Sequence, residues 1–138
     1  MKKFLFFSLA ALALTGCKTA KTDQKAIIGQ TWELQDINGV KALQSDFGNG
    51  MPTILFSADK GVSGKGGCNG YRGEYTLDES GALTVDKVIS TKMYCEGVHE
   101  NEFMAALSRA KKASVENGNL VLAEGNNKLL VFVAKEAK

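Results

Sequence analysis

The chain has 138 residues, 44% of them apolar and 23% charged, with one His, three Cys, one Pro and a formal net charge of +2. The proportions are those of a folded globular protein and the length suits one domain, which excludes wholesale disorder and leaves little room for a second domain. One His offers few ways to build a His-based metal site or relay, and so small a charge does not mark a nucleic-acid binder.

The charge is unevenly placed. Lys2 and Lys3 account for all of the surplus, so the chain from residue 17 onwards is formally neutral. They precede an apolar run of 11 residues, Phe4 to Leu14. That run falls short of the roughly 20 residues a membrane-spanning helix needs, and fits the apolar region of an export signal. It ends in Leu14-Thr15-Gly16-Cys17, which resembles the lipobox of bacterial lipoproteins. The resemblance implies cleavage before Cys17, a diacylglyceryl group on its thiol and an acyl chain such as palmitate on the new amine. Each buried CH₂ of such chains contributes about 0.8 kcal/mol, so two or three chains anchor a protein without any inserted segment. Residues 1–16 are thus expected to be a signal peptide and residues 17–25 the lipidated Cys with a polar tether. Lys18, where an Asp would favour retention at the inner membrane, favours the outer membrane by analogy. The expected localisation is an exported, lipid-anchored protein of the cell envelope.

An odd Cys count in an exported chain flags a leftover thiol, and lipidation of Cys17 removes the oddness. Cys68 and Cys95 remain. In an oxidising compartment a disulfide between them is the favoured reading, and closing its loop of about 28 residues would contribute roughly 3.6 kcal/mol in the chain-entropy picture. The alternative is two buried free thiols packing as small apolar groups. A zinc site is not expected, because neither Cys has a Cys or His at ligand spacing.

Residues 26–135 read as one domain, mostly of strands. Thr31 to Ile37 alternates around Trp32 and Leu34 and meets Asn38-Gly39, a hairpin signal. Asp46 to Gly50 reads as loop, and Pro52 opens a strand over Thr53 to Ala58. Asp59-Lys60-Gly61 turns into Val62-Ser63-Gly64. The clearest strand follows: Tyr71, Gly73, Tyr75 and Leu77 face one way, and Arg72, Glu74, Thr76 and Asp78 the other. Asp78 to Gly81 turns it back. A strand over Ala82 to Ser90 carries a phase shift at Lys87 that predicts a bulge or an edge. One helix is predicted over residues 97–112. Phe103, Leu107 and Ala110 form its apolar stripe, Glu96, Glu100 and Glu102 lie near its start, and Arg109, Lys111 and Lys112 near its end. Strands return at 114–116, 120–123 and 128–134, with Asn117-Gly118 and residues 124–127 as turns. The expected fold class is α+β, mainly antiparallel β, with one helix packed against the sheet.

Gly64 to Tyr75, with its Gly67-Cys68-Asn69, resembles the signature of the META domain, also called the HslJ-type domain. Thr91-Lys92-Met93-Tyr94-Cys95, the helix with Glu102, Phe103 and Leu107, the opening Trp32-Glu33-Leu34 and the closing Leu120-Val121-Leu122 and Leu130-Val131-Phe132 follow in the family's order. The resemblance covers about residues 27–134. It departs at Gly70-Tyr71, where a basic or bulky residue is expected after the Asn. It implies a small barrel-like or cracked-barrel sheet with a helix against it, in envelope lipoproteins or secreted proteins associated with heat shock, antibiotic tolerance, motility or secretion, without an established reaction. Relatives in fold include lipid-binding pilot lipoproteins of secretion machines, an analogy that does not carry function.

No catalytic residues are assigned. The Gly-rich stretch matches neither the dinucleotide nor the phosphate-loop pattern, and a strand follows it where those motifs need a helix. His99, in the expected first helical turn, reads as an exposed helix residue rather than a general base. Trp32, Tyr71 and Tyr75 read as core. Asn69 and Arg72 are the candidate surface site, although capping of the Gly-rich turn is the favoured reading of Asn69. No cofactor, metal or nucleic acid is expected. The expected partners are the membrane, through lipid on Cys17, and an envelope protein or lipid, bound by a monomeric, non-catalytic domain. The alternatives are a pilot-like acyl-chain carrier, which needs an apolar cavity of at least about 300 Å³, and a small hydrolase or hydrolase inhibitor using His99 or the Glu100 to Glu102 region.

Overall fold

The structure, a computed structural model, describes residues 21–136. The expected signal peptide and the lipobox-like Leu14 to Cys17 lie outside the described residues. A short helix α1 (Gln24–Ile27) precedes β1 (Thr31–Ile37), β2 (Val40–Lys41), a 3-10 turn (Gln44–Asp46), β3 (Thr53–Phe56), β4 (Gly61–Lys65), β5 (Gly70–Leu77) and β6 (Leu83–Ser90). Helix α2 (Glu100–Arg109) then leads to β7 (Lys112–Glu116), β8 (Asn119–Glu124) and β9 (Asn127–Ala134).

The strands form one antiparallel sheet in the order β6-β5-β4-β3-β1-β9-β8-β7, with β2 hairpinned onto β1. The sheet curls until its two edges touch at one place. There Ala82 bridges to Lys112, Leu83 N–H donates to Lys111 C=O at 2.9 Å and Ala113 N–H to Gly81 C=O at 2.8 Å. Past that bridge the chain leading into β7 is α2, so a helix, packed on β6, β8 and β9, fills the gap where a strand would close the barrel. The result is an α+β half-barrel with one main helix; the antiparallel α+β class is the one the strand and helix patterns predict, and the barrel-like shape the one the META-domain resemblance implies.

The alternation in β5 sets which side is inside. Tyr71, Tyr75 and Leu77 are buried, and Arg72, Glu74 and Thr76 are exposed. The interior is filled by Trp32, Phe56, Phe103 and Phe132 among aliphatic side chains. Phe56 meets Tyr75 edge-on at 4.9 Å between ring centres, and Phe103 meets Tyr71 and Phe132 at 5.9 and 6.3 Å. The polar ends of the buried aromatics are all engaged: Tyr71 Oη donates to Thr53 C=O and Tyr75 Oη to Ser57 C=O, both at 2.8 Å, and Trp32 Nε1 donates to Ile27 C=O at 3.1 Å. Burial pushes the ionisation of both phenols above the ordinary tyrosine value. Their neutral forms therefore add stability that is complete below about pH 10 and lost as pH rises beyond it. In an alkaline titration, the tyrosinate absorbance of these two side chains should appear together with loss of tertiary circular dichroism. Their ionisation well before unfolding would contradict the packing.

Two local expectations, the bounds of the helix and the extent of the tether, differ from the structure, and the one at Lys87 agrees with it. The helix begins three residues late and ends three early, because Gly97 has φ of +68° and Ala110 is extended at ψ of 128°. The phase shift at Lys87 is a bulge: Lys87 has φ of +51° and the β5–β6 register slips opposite it. Residues from Lys21 on, read as tether, already pack. Thr22 N–H donates to Glu79 C=O at 2.9 Å, Lys21 pairs with Glu79 at 3.0 Å, Asp23 caps α1, and Ile27 is in the core. Four-residue helices carry no sequence period, which is why α1 was not legible.

Candidate functional site

The family-like motifs converge on the β4–β5 turn. Gly66 N–H donates to Asn69 C=O at 2.9 Å, closing a turn over Gly66-Gly67-Cys68-Asn69. Cys68 is joined to Cys95 by a disulfide, with Cα atoms 6.0 Å apart. The turn lies on the N-terminus of α2, where Glu100 Oε2 accepts Cys68 N–H at 2.9 Å and Asn69 N–H at 2.6 Å. A Cβ on Gly66 would sit 2.7 Å from Glu100 Cγ, so only glycine allows the carboxylate this close.

Asn69 is not a surface residue, as expected of a ligand site, but buried, with 6% of its area exposed. Its amide spends all of its bonding capacity inside the fold. Nδ2 donates to Glu100 Oε1 at 2.7 Å and to Met93 C=O at 3.1 Å. Oδ1 accepts Met93 N–H and the Thr91 hydroxyl, both at 2.8 Å. Asn69 therefore acts as a clasp joining the turn, the 91–93 segment and α2. The favoured reading, capping by Asn69, describes its work better than a surface role, although the partners extend far beyond the turn. Arg72 does lie exposed on the outer face of β5. The two residues line different clefts and do not form one site.

The remaining candidates are also separate. His99 is exposed at the N-cap position of α2, its backbone N–H bonded to Asp46 C=O at 2.8 Å and its ring edge-on to Phe47. Glu102 Oε1 accepts Asn38 Nδ2 at 3.2 Å. Glu100, the carboxylate nearest His99 in the chain, is committed to the turn. Three clefts stand out among the described residues, of which one of about 590 Å³, between the 59–61 turn and the outer ends of β5 and β6, holds none of the candidate residues. Another of about 970 Å³ runs between β1, β3 and the C-terminal segment and is crossed by the Glu33–Lys135 ion pair at 3.0 Å. The third, of about 570 Å³, lies between the end of β6 and α2, with the disulfide, Met93, Tyr94, Val98 and Met104 on its walls. The latter two open to solvent at the surface, whereas the barrel axis is packed with aromatic rings.

The disulfide and the Asn69 clasp tie down the same segment, so they share its stabilisation. Replacing both Cys68 and Cys95 by Ser should cost about 2–3 kcal/mol, less than the full loop-closure value, because Asn69 still holds Thr91 and Met93. Urea unfolding of the reduced and oxidised protein checks this. A loss under about 0.5 kcal/mol would mean that the bridge adds nothing to the clasp.

Comparison with known proteins gives a family and a fold. The META domain family profile matches residues 25–137. No curated protein matches the sequence. A protein from Burkholderia xenovorans solved by NMR superposes with a TM-score of 0.65 at 20% identity, over 99% of this chain and 100% of that one. A DUF4847 family protein from Bacteroides vulgatus, known from a crystal structure, gives 0.60 at 20% identity, over 83% and 99%. A further NMR structure gives 0.63 at 24% identity, over 79% and 92%. At these identities the likeness is one of fold.

Proposed function

We propose that this chain, which belongs to the META domain family, is a lipid-anchored bacterial envelope protein whose non-catalytic domain binds or stabilises another envelope component, in stress tolerance or secretion. The disulfide carries this reading. It pairs two of the three Cys and implies an oxidising compartment, which agrees with an export signal and leaves Cys17 as the unpaired thiol for lipidation. The chemistry of the motif supports a binding role. Within it the Cys68 sulfur is held in the disulfide with Cys95, and the Glu100 carboxylate accepts Cys68 N–H, Asn69 N–H and Asn69 Nδ2. The packed barrel axis argues against an acyl chain held inside it. With Cys17 acylated, anchoring comes from chains inserted in the bilayer, and the outer membrane is favoured by Lys18.

The test is metabolic labelling with palmitate. The native chain should incorporate label and fractionate with outer membranes, and Cys17→Ser should incorporate none and accumulate as uncleaved precursor. Equal labelling of the variant would sink the anchor.

A further inference from the structure

The anchored and the free ends of the domain can be told apart. Lys21 and Thr22 are fixed to the β5–β6 turn at Glu79, and a Cβ on Gly81 would lie 2.6 Å from Thr22 Oγ1. Only residues 18–20 then separate Cys17 from the docked segment, a reach of about 14 Å at most. The eight residues of β6 rise about 26 Å from that turn to Ser90. The far end of β6 therefore points away from the point of attachment.

That far end is where apolar side chains are exposed. Ile89, Met93 and Tyr94 are 58%, 60% and 89% exposed, and they are three of the five large apolar side chains exposed among the described residues. Ile89 is paired across the sheet with Arg72, on the same face. Arg72 and Lys92 are both exposed, and among the described residues neither appears in an ion pair, whereas Lys87 nearby is paired with Glu74 at 2.7 Å. The backbone is available as well. Thr91 N–H donates to Gly70 C=O at 3.1 Å, so by strand alternation the N–H and C=O of Ser90 face away from β5, on the side where β6 has no neighbouring strand. The bulge at Lys87 blunts the rest of this edge, and α2 lies across a cleft of about 570 Å³ from its end, so Ser90 is the residue that turns its main-chain groups into that cleft.

We infer that the end of β6 with the 92–94 loop is the domain's partner-docking surface, and that it takes an extended, acidic, apolar segment of an envelope protein as an added strand. Main-chain bonds to Ser90 would set its register, alternate apolar side chains would cover Ile89, Met93 and Tyr94, and its carboxylates would meet Arg72 and Lys92. One outward-facing edge residue provides too few main-chain bonds for tight binding alone, so the side chains must supply affinity and the two cations specificity. This rests on the binding role proposed above and names its surface.

The test uses the full processed chain purified from envelopes, in phosphatidylcholine nanodiscs, with a dye-labelled 12-residue peptide of alternating Glu and Val as probe. Binding should weaken at least tenfold with Arg72→Glu plus Lys92→Glu, and fivefold or more with Tyr94→Ser. It should fall with added salt and be unaffected by Lys128→Glu on β9. The peptide with Lys in place of Glu should not bind. Equal binding of the two peptides, or indifference to the Arg72 and Lys92 changes, would overturn the inference. So would hydrogen-exchange protection of residues 88–94 without peptide, arising either in nanodiscs containing phosphatidylglycerol, which would make the surface a membrane contact, or with rising protein concentration, which would make it a contact between copies. Palmitate labelling reports separately on the anchor: a chain that is unlabelled yet binds the peptide loses the anchor and keeps the surface.

Discussion

Replacing Phe103 with Ala should destabilise the domain by about 4 kcal/mol, a large part of the 5–15 kcal/mol that holds a domain of this size folded. Phe103 is fully buried and is the residue through which α2 fills the open side of the half-barrel, with its ring between Tyr71 on β5 and Phe132 on β9. Truncation leaves a cavity between helix and sheet. The backbone cannot collapse into it, because α2 is pinned at its N-terminus by Glu100 and at its exposed C-terminal end by the Arg109–Glu124 pair. Urea unfolding at unchanged m-value is the measurement, with Phe103→Leu as control at about 1–1.5 kcal/mol. A loss below about 1 kcal/mol for the Ala variant would mean that the sheet supports itself without the helix.

Asn69→Asp should cost about as much, roughly 4 kcal/mol at neutral pH, though it changes one atom type. The amide donates to Glu100 Oε1 and Met93 C=O, so a carboxylate there loses both donors and faces a second carboxylate at 2.7 Å. Asn69→Ala removes the same bonds without adding charge and should cost about 3 kcal/mol. The two variants separate by pH. The Asp variant should recover stability as pH is lowered through the carboxylate range, since protonating either carboxyl restores a donor, while the Ala variant should show no such recovery. Thermal melts between pH 4 and 7 decide it. Parallel pH profiles for the two variants would remove the charge argument, and native stability in both would remove the clasp.

The clasp also shows where reading residues in sequence stops. The Gly-rich stretch, the two Cys motifs and an Asn between them were visible, and so was the family they suggest. An Asn beside a glycine turn offers the same sequence signal whether its amide meets water or protein. What decides is a carboxylate 31 residues further on, brought there by α2, together with the backbone of Met93. Similarly, the β5 alternation predicted correctly that Tyr71 and Tyr75 are core, because period two is a local property of a strand. The charges and apolar stripe around α2 predict a longer helix, because they continue to Gly97 and past Ala110, where the backbone turns away.

By itself the sequence determined the class of the fold, the inward faces of the strands, the position of the helix and the family. The first three follow from spacing along the chain, and local periodicity survives whatever the partners are; the family follows from the resemblance of its motifs. Only the tertiary structure decided that the sheet stays open on one side, that a helix fills the gap, that residues 21–22 dock on the β5–β6 turn and that Asn69 is buried while Ile89, Met93 and Tyr94 are not. Those outcomes depend on which distant segments compete for the same space, and competition of that kind leaves no period in the sequence.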